Sequence, residues 1–492
     1  MKILVVQLAR LGDIYQTWPV LRALKRMNEG AEIHLMTRTK FAAAAPGAPI
    51  VDKHWLLDTR EILSPLIDER PDIDQSQAKL VAFSDALRAE KFDRVINLSF
   101  SPFSSFLVRE ISAQSPHCQV SGYTRFSDGY LSIPDDGSAY FYAQVGSHRG
   151  NRVHLTDLFA YVAGIQIAES DWEPPAIDAV SASSSRVREA GENAIVVHVG
   201  ASDLGKTLSW SKWMQIVKGL LASHQGPVVL IGSSDEAEWA EKISAVSTQK
   251  KPLNFVGQTD LKEVFEIVRN AKLLIGADSA PVQMASLTNT PVLNLSLPMV
   301  CFWETGPRSK GSHILPIVDE GAISAEEIVT EAIAMLSGRS AGLPVIRVAG
   351  PTFSYMETRP QPLSFEWELM RGLYMEETFP PPTNETFLLG ARRLEDVNLL
   401  AIEQIEALKR LPTNKTASAI LDRVNEIMEQ IVRMVPEIGP AVRWFQTERL
   451  RIGPMPVNEL LNATENVHRR FADVIALYST DSGAANDDVV LG

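Results

Sequence analysis

Short apolar runs rich in β-branched residues recur through the first 300 residues, and most are followed by a loop and then by helical spacing. Such a run is too short for a helix and has no polar face. That pattern belongs to a parallel strand covered by helices on both sides. Lys2–Leu8 (KILVVQL) is the first, followed by the loop Ala9–Asp13 and a helical pattern from Ile14 to Met27. Ile33–Met36 reads as a second strand, Gln77–Glu90 as a helix and Arg94–Leu98 as a third strand. Strand, loop, helix and strand in this order imply right-handed βαβ units. Ile62–Gln75 reads as a surface loop, and Tyr123–Gly150 is expected to hold little helix.

After a linker candidate at Ser170–Arg186, with Pro174, Pro175 and a serine cluster, the pattern restarts. Strands are expected at Ala194–Val199, Pro227–Ile231, Asn254–Val256, Leu273–Ile275 and Val292–Leu295, with helices between them. This is a second doubly wound α/β domain. From about Gly338 the character changes. Residues 341–382 are rich in proline and aromatics, and Leu389–Tyr478 is helical with breaks near Pro412, Pro436, Gly439 and Pro454–Pro456. Thr413 or Asn414 is the expected N-cap of the helix that runs to Met434. The division is then 1–175, 185–340 and a helical extension 341–480, with a loose tail at 481–492.

A chain of 492 residues with 45% hydrophobic and 22% charged side chains has ample material for several cores. Its net charge of −13 argues against binding nucleic acid or an anionic lipid surface through overall charge, which leaves only a local patch for peripheral membrane contact. Two cysteines, Cys118 and Cys301, exclude a disulfide framework and a cysteine-rich zinc site. With no signal-like segment and no run of ~20 apolar residues, a cytoplasmic protein is expected.

Ligands of open parallel sheets bind at the carboxyl ends of the strands, so the loops there are where chemistry is sought. The first such loop ends Arg10-Leu11-Gly12-Asp13. Gly12 allows close approach of a ligand, and Asp13 either takes a proton from an attacking hydroxyl or caps the next helix. The loop Gly200-Ala201-Ser202 with Lys206 either cradles a diphosphate or is a turn with a solvated lysine. Asp278-Ser279-Ala280-Pro281 opens a helix whose free amides favour an anion, and Asp278 either orients Lys206 or an acceptor hydroxyl, or caps. Glu236 and Glu238 follow a strand end, where a carboxylate accepts hydrogen bonds from ribose hydroxyls or simply occupies an acidic first turn. His198 reads as a core histidine. No G-x-G-x-x-G, Walker, G-x-S-x-G or H-E-x-x-H pattern occurs, so a dinucleotide, P-loop, hydrolase or metal site is unsupported.

The motifs in their order resemble glycosyltransferase family 9, the ADP-heptose:lipopolysaccharide heptosyltransferases. KILVVQLARLGDIYQTWPVLRALK resembles the family's opening strand, Gly-Asp loop and helix, and FDRVINL its next recurrent strand. VHVGAS with Lys206 and Trp210–Trp213, then VVLIGSSDEAEWAEKI and NFVGQTDLKEVFEIVRNAKLLIGADSAPVQMASLTNTPVLNL, follow its donor domain in order, over about residues 1–335. The resemblance implies a GT-B fold of two Rossmann-like domains. It implies an inverting, metal-independent transfer that needs no cofactor beyond a nucleotide-diphosphate sugar as donor. Asp13 would be the general base, with Arg10 and Gly12 in its loop. Lys206 and Ser202 would hold the diphosphate, and Glu236 the ribose, with Asp235 or Glu238 as substitutes. Asp278 would grip the sugar, and the amides from Ser279 through Ala280 and Pro281 to Val282 would cradle phosphate. The acceptor would be a glycan, lipid-linked or protein hydroxyl. Where the family has Asp-Ser-Gly-Pro-Met-His, this chain has Ala280 and Gln283, and the rival expectation is a non-catalytic sugar-nucleotide-binding scaffold. The extension has no counterpart in the resemblance. Its Ser364–Met375 segment is expected to cross back to the first domain through Phe365, Trp367 and Tyr374, and the rest to serve packing, oligomer contact or partner docking.

Overall fold

The computed structural model describes residues 1–47, 49–113, 115–146, 150–201, 203–246, 248–351 and 364–479. The expected loose tail at 481–492 lies outside them. By compactness the chain forms two units, which do not follow the linear division. One joins Met1–Phe83 and Phe92–Arg94 to the residues from Val153 to 351, and the other joins Ser84–Lys91 and Val95–Arg152 to residues 364–479.

In the first unit, strands Lys2–Val6, Glu32–Arg38 and Lys53–Leu57 pair in parallel, with Ile3 opposite Ile33 and Leu35 opposite His54. The Leu11–Met27 helix buries Ile14, Tyr15, Trp18, Leu21 and Leu24. The second sheet of this unit runs in the order Leu253–Asn254, Val228–Ile231, Ile195–His198, Leu273–Gly276, Val292–Ser296, His313–Pro316, Ile346–Arg347. All its pairs are parallel except the last. Counting in chain order, the six parallel strands lie 3-2-1-4-5-6, the doubly wound order. Ile195, Val197, Leu230, Ile275 and Leu293 face one apolar core, and Val196, Val229, Leu274 and Val292 face another. Burial on both faces is why these strands read as continuous apolar runs.

The expected linker at Ser170–Arg186 is instead packed. Trp172 and Val187 are buried, and Arg26 Nη2 donates to Asp171 Oδ2 at 2.7 Å. Short helices at Ala179–Ala182 and Ser185–Ala190 are capped by Asp178 and Ser184.

The second unit holds the Pro102–Ser112 helix, the strand Gln119–Gly122, the pair Thr124–Arg125 with Leu131–Ser132, and a helix at Asp136–Gln144. That last helix departs from the expectation of little helix. Asp135 caps it, accepting from Ser138 N at 2.8 Å, and Ala139, Tyr140 and Ala143 bury against their surroundings. Gly122, at φ +84°, is required, because a Cβ there would meet Asn97 O at 2.0 Å. Helices Phe365–Tyr374, Glu385–Arg410, Lys415–Met434, Gly439–Leu450 and Val457–Ser479 share a core of Phe387, Leu394, Val424, Met428, Phe445, Phe471 and Ile475. Asn414 caps the third, through Ala417 N at 3.1 Å, and Gly439 begins a helix where a break is expected. Buried Asn398 and His468 pair, with His468 Nδ1 at 2.7 Å from Asn398 Oδ1, and burial pushes the imidazole down to about 3.

The Phe365–Tyr374 helix lies against the Val95–Arg152 part of its unit. The rings of Tyr374 and Tyr140 meet edge-on at 4.9 Å, and Gln144 Nε2 donates to Tyr374 OH at 3.1 Å. Phe365 turns the other way, onto Phe387 at 4.7 Å, and Trp367 is fully buried. Among the described residues no helix is long and apolar enough to cross a membrane.

Candidate functional site

In the doubly wound order, the strands Ile195–His198 and Leu273–Gly276 are neighbours whose following connections leave in opposite directions. In doubly wound sheets ligands bind at the carboxyl ends of such a pair of strands. The loop after the first carries Lys206 and the loop after the second carries Asp278. Lys206 Nζ lies 3.4 Å from Asp278 Oδ2, with side chains only 19% and 16% exposed. Lys206 sits in a tight turn closed by its own N–H on Asp203 O at 3.0 Å and by Gly205 N–H on Asp203 Oδ1 at 2.8 Å. Met299 lies directly over that turn, since a Cβ on Gly205 would come within 2.1 Å of its sulfur.

Asp13 belongs to the same electrostatic group. It stands in the first turn of the Leu11–Met27 helix, where its Oδ2 accepts the Arg10 N–H at 2.8 Å. Its Oδ1 has no partner among the described residues. Burial raises its pKa above the usual carboxylate range, against the lowering effect of the Arg10 amide and charge. The Asp278 carboxylate adds to the rise and the Lys206 ammonium opposes it. Asp13 thus caps its helix with one oxygen, and the charges of Lys206 and Asp278 both act on its carboxyl. A Cβ built on Gly12 would lie 3.8 Å from Gln283 Cγ, an ordinary contact distance, and Arg10 is exposed.

Four sets of contacts hold the loop and helix of Asp13 there. Fully buried Gln7 accepts from Ala9 N and donates to Thr17 Oγ1, both at 3.2 Å, and Thr17 donates to Asp13 O at 2.7 Å. Arg38 Nη2 donates to Ala9 O at 2.6 Å. Trp18 stacks on Phe265 of the Leu261–Asn270 helix at 5.7 Å, and Tyr15 completes the triangle at 5.7 Å and 6.0 Å. Two amides, Gln16 Nε2 at 3.3 Å and Gln283 Nε2 at 2.5 Å, donate to the adjacent carbonyls of Glu304 and Thr305. Gln283 is therefore a tether rather than a titrating group. Gln7, Gln16, Phe265 and the Glu304–Thr305 backbone are positioning elements that sequence reasoning misses, because their partners lie far along the chain.

The Ala280–Thr288 helix starts at extended Ser279, whose hydroxyl donates to Ala277 O at 3.1 Å. The expected amide cradle is smaller than Ser279 to Val282. Pro281 has no N–H, and the Val282 N–H is spent on Ser279 O at 3.1 Å. The amides of Ser279 and Ala280 remain for an anion. Glu236 lies at the end of the neighbouring strand. Its Oε2 accepts from both the N–H and the hydroxyl of Ser233 at 2.5 Å, and its carboxylate covers Gly200, whose absent Cβ would lie 2.4 Å away. Its two substitutes face solvent, with Glu238 held by Lys242 at 2.6 Å and Asp235 exposed. Ser202 lies outside the described residues. His198 is buried and pushed down to about 4 by desolvation, which keeps it neutral.

Residues 80–296 match the model of a family described as Glycosyltransferase family 9 (heptosyltransferase). The chain is 23% identical over 304 residues to lipopolysaccharide heptosyltransferase 3 of Escherichia coli, covering 58% of this chain and 80% of that protein. It is 22% identical over 304 residues to lipopolysaccharide heptosyltransferase 1 of Campylobacter coli, covering 60% and 83%. In structure it is similar to the crystal structure of the glycosyl transferase family 9 from Veillonella parvula, with a TM-score of 0.52 and 17% identity over 68% of this chain and 97% of that one. The fold is α/β of the GT-B class, followed by a mainly helical region.

Proposed function

We propose that this chain is a family 9-like glycosyltransferase, an inverting, metal-independent enzyme that moves heptose from ADP-heptose to a hydroxyl of a surface glycan such as the lipopolysaccharide core. The observation that carries the reading is the convergence of Asp13, Lys206 and Asp278 at the switch point of the second sheet. The names of the two bacterial relatives support the sugar and the acceptor class.

In this reading Asp13 takes the proton of the acceptor hydroxyl. The oxygen attacks the anomeric carbon as the bond to the nucleotide diphosphate breaks, so configuration inverts. A raised pKa suits a base that must hold a proton after the step. Negative charge grows on the leaving diphosphate, where Lys206 and the Ser279 and Ala280 amides answer it. Asp278 pairs with Lys206 and takes a hydroxyl of the transferred sugar in this reading. Glu236, at the end of its strand, takes the ribose.

The test is transfer from ADP-heptose to core oligosaccharide by Asp13→Asn. Loss of about 10²–10⁴-fold in turnover with unchanged ADP binding is expected. Unchanged turnover overturns the base assignment. Retained configuration in the product overturns inversion, and loss of activity with a chelator, restored by a divalent cation, overturns metal independence.

A further inference from the structure

The second unit contains a cleft of about 390 Å³ that shares no residue with the candidate active site. That size falls within the range of small-ligand sites. The Asp136–Gln144 helix forms one wall with Tyr142. The Lys415–Met434 helix supplies Glu429 and Val432, and the Gly439–Leu450 helix supplies Val442, Arg443 and Gln446.

Arg443 is the unusual member. Its Nε donates to Ala143 O at 2.8 Å, while its Nη2 is buried with no partner among the described residues. Burial lowers its pKa to about 10, so it remains charged near neutrality. A guanidinium withdrawn from water without a carboxylate partner is costly, and an anion brought by a ligand would relieve that cost. The nearby carboxylate, Glu429, is engaged elsewhere, its Oε1 accepting from Gln446 Nε2 at 2.7 Å. Beside Ala143, Gln144 is fully buried. Its amide N–H groups serve Tyr374 OH and Pro440 O, but its Oε1 has no partner among the described residues. The open donor, on Arg443, belongs to a residue that lines the cleft, whereas Gln144 does not line it. The cleft wall includes a tyrosine ring that is 44% exposed.

We propose that this cleft binds a sugar acid or sugar phosphate, with its anionic group on Arg443, its hydroxyls on Glu429 and Gln446, and its ring face on Tyr142. A carboxylate or phosphate matches the planar guanidinium fork, and an amide–carboxylate pair offers both donor and acceptor to vicinal hydroxyls. The proposal is independent of the transferase reading.

The test is calorimetry on the full chain with galacturonate, glucose 6-phosphate and neutral galactose as probes, and ADP as an internal control. One or both acidic sugars should bind with Kd below about 10 mM and galactose much more weakly. Arg443→Gln should weaken the acidic ligand about tenfold or more. Tyr142→Ala, at a ring that is 44% exposed, should weaken it while ADP affinity stays unchanged. Binding of galacturonate alone identifies a carboxylate, and of glucose 6-phosphate alone a phosphate. Equal binding of galactose, no binding of either acid at about 20 mM, or full affinity in both variants overturns the proposal.

Discussion

Trp18→Leu tests whether an aromatic wedge, rather than the local loop, aims Asp13. Trp18 is 7% exposed and shares the Leu11–Met27 helix with Asp13, one turn further on. Its ring meets Tyr15 and Phe265, each at 5.7 Å, and its Nε1 donates to Ala44 O at 2.9 Å. Each ring pair contributes about 0.5–1.5 kcal/mol beyond burial. The hydrogen bond adds about 0.5–1.5 kcal/mol. Leucine forfeits all three, so destabilisation of about 1.5–4.5 kcal/mol is expected. At about 2.1 cal/mol/K of unfolding entropy per residue, a loss of about 3 kcal/mol corresponds to a fall of roughly 3–5 °C in Tm for a unit or chain of this size. Trp18→Phe keeps both ring pairs and loses only the hydrogen bond, so it should fall by about a third as much or less. The catalytic readout separates positioning from mere stability. Below the melting transition, Trp18→Leu should lower kcat by about tenfold to a hundredfold, because small misplacement of a reacting group is costly. KM for the nucleotide sugar should stay within about twofold, because Lys206 and Glu236 are untouched. Thermal melts by circular dichroism and steady-state transfer assays measure both. Wild-type kcat in Trp18→Leu, whatever its Tm, would refute the wedge as the device that aims Asp13.

The pH profile follows from the raised pKa of Asp13. As a base it must be ionised, so the acidic limb of kcat/KM should lie above the ordinary carboxylate range and disappear in Asp13→Asn. The same rise makes folding take up a proton, so the group's stabilising contribution is present below the ordinary aspartate pKa and is lost as pH rises through its folded value. Asp13→Asn should then melt at or above the wild-type temperature at pH 7 by calorimetry. Lys206→Ala should weaken ADP binding and lower kcat together, by about 10²–10³-fold in kcat/KM, and an effect on kcat alone would count against its hold on the diphosphate. Gly200→Ala should expel the Glu236 carboxylate and lower both Tm and ADP affinity. In the double variant with Glu236→Ala, Tm should recover and ADP affinity should not.

The strands around the second switch point are legible because burial on both faces leaves no polar positions in them, as in Ile195–His198 and Val228–Ile231. The Asp136–Gln144 helix is not, because Gly137 and Ser138 open it and only the Asp135 cap, a contact set by geometry, commits the backbone. Asp13, Lys206 and Asp278 are each visible as strand-end residues. Their approach to one another is not, since it depends on Trp18 meeting Phe265 and on Gln16 reaching Glu304 across 288 positions. No local spacing encodes such pairs. Pro281 shows the converse case, for a residue type alone removes one of the expected amides.

The way the second unit is stitched bears on how the protein is made. Tyr140, Gln144 and Ala143 take their neighbours from Tyr374, Pro440 and Arg443, so an early stretch of polypeptide finishes packing only with partners that leave the ribosome much later. Roughly 220 residues separate Gln144 from the first of those helices, which at about 5–20 residues per second is a wait of about 10–40 s during synthesis. A product cut short before residue 364 leaves that stretch without its covering, a ready substrate for proteases and chaperones.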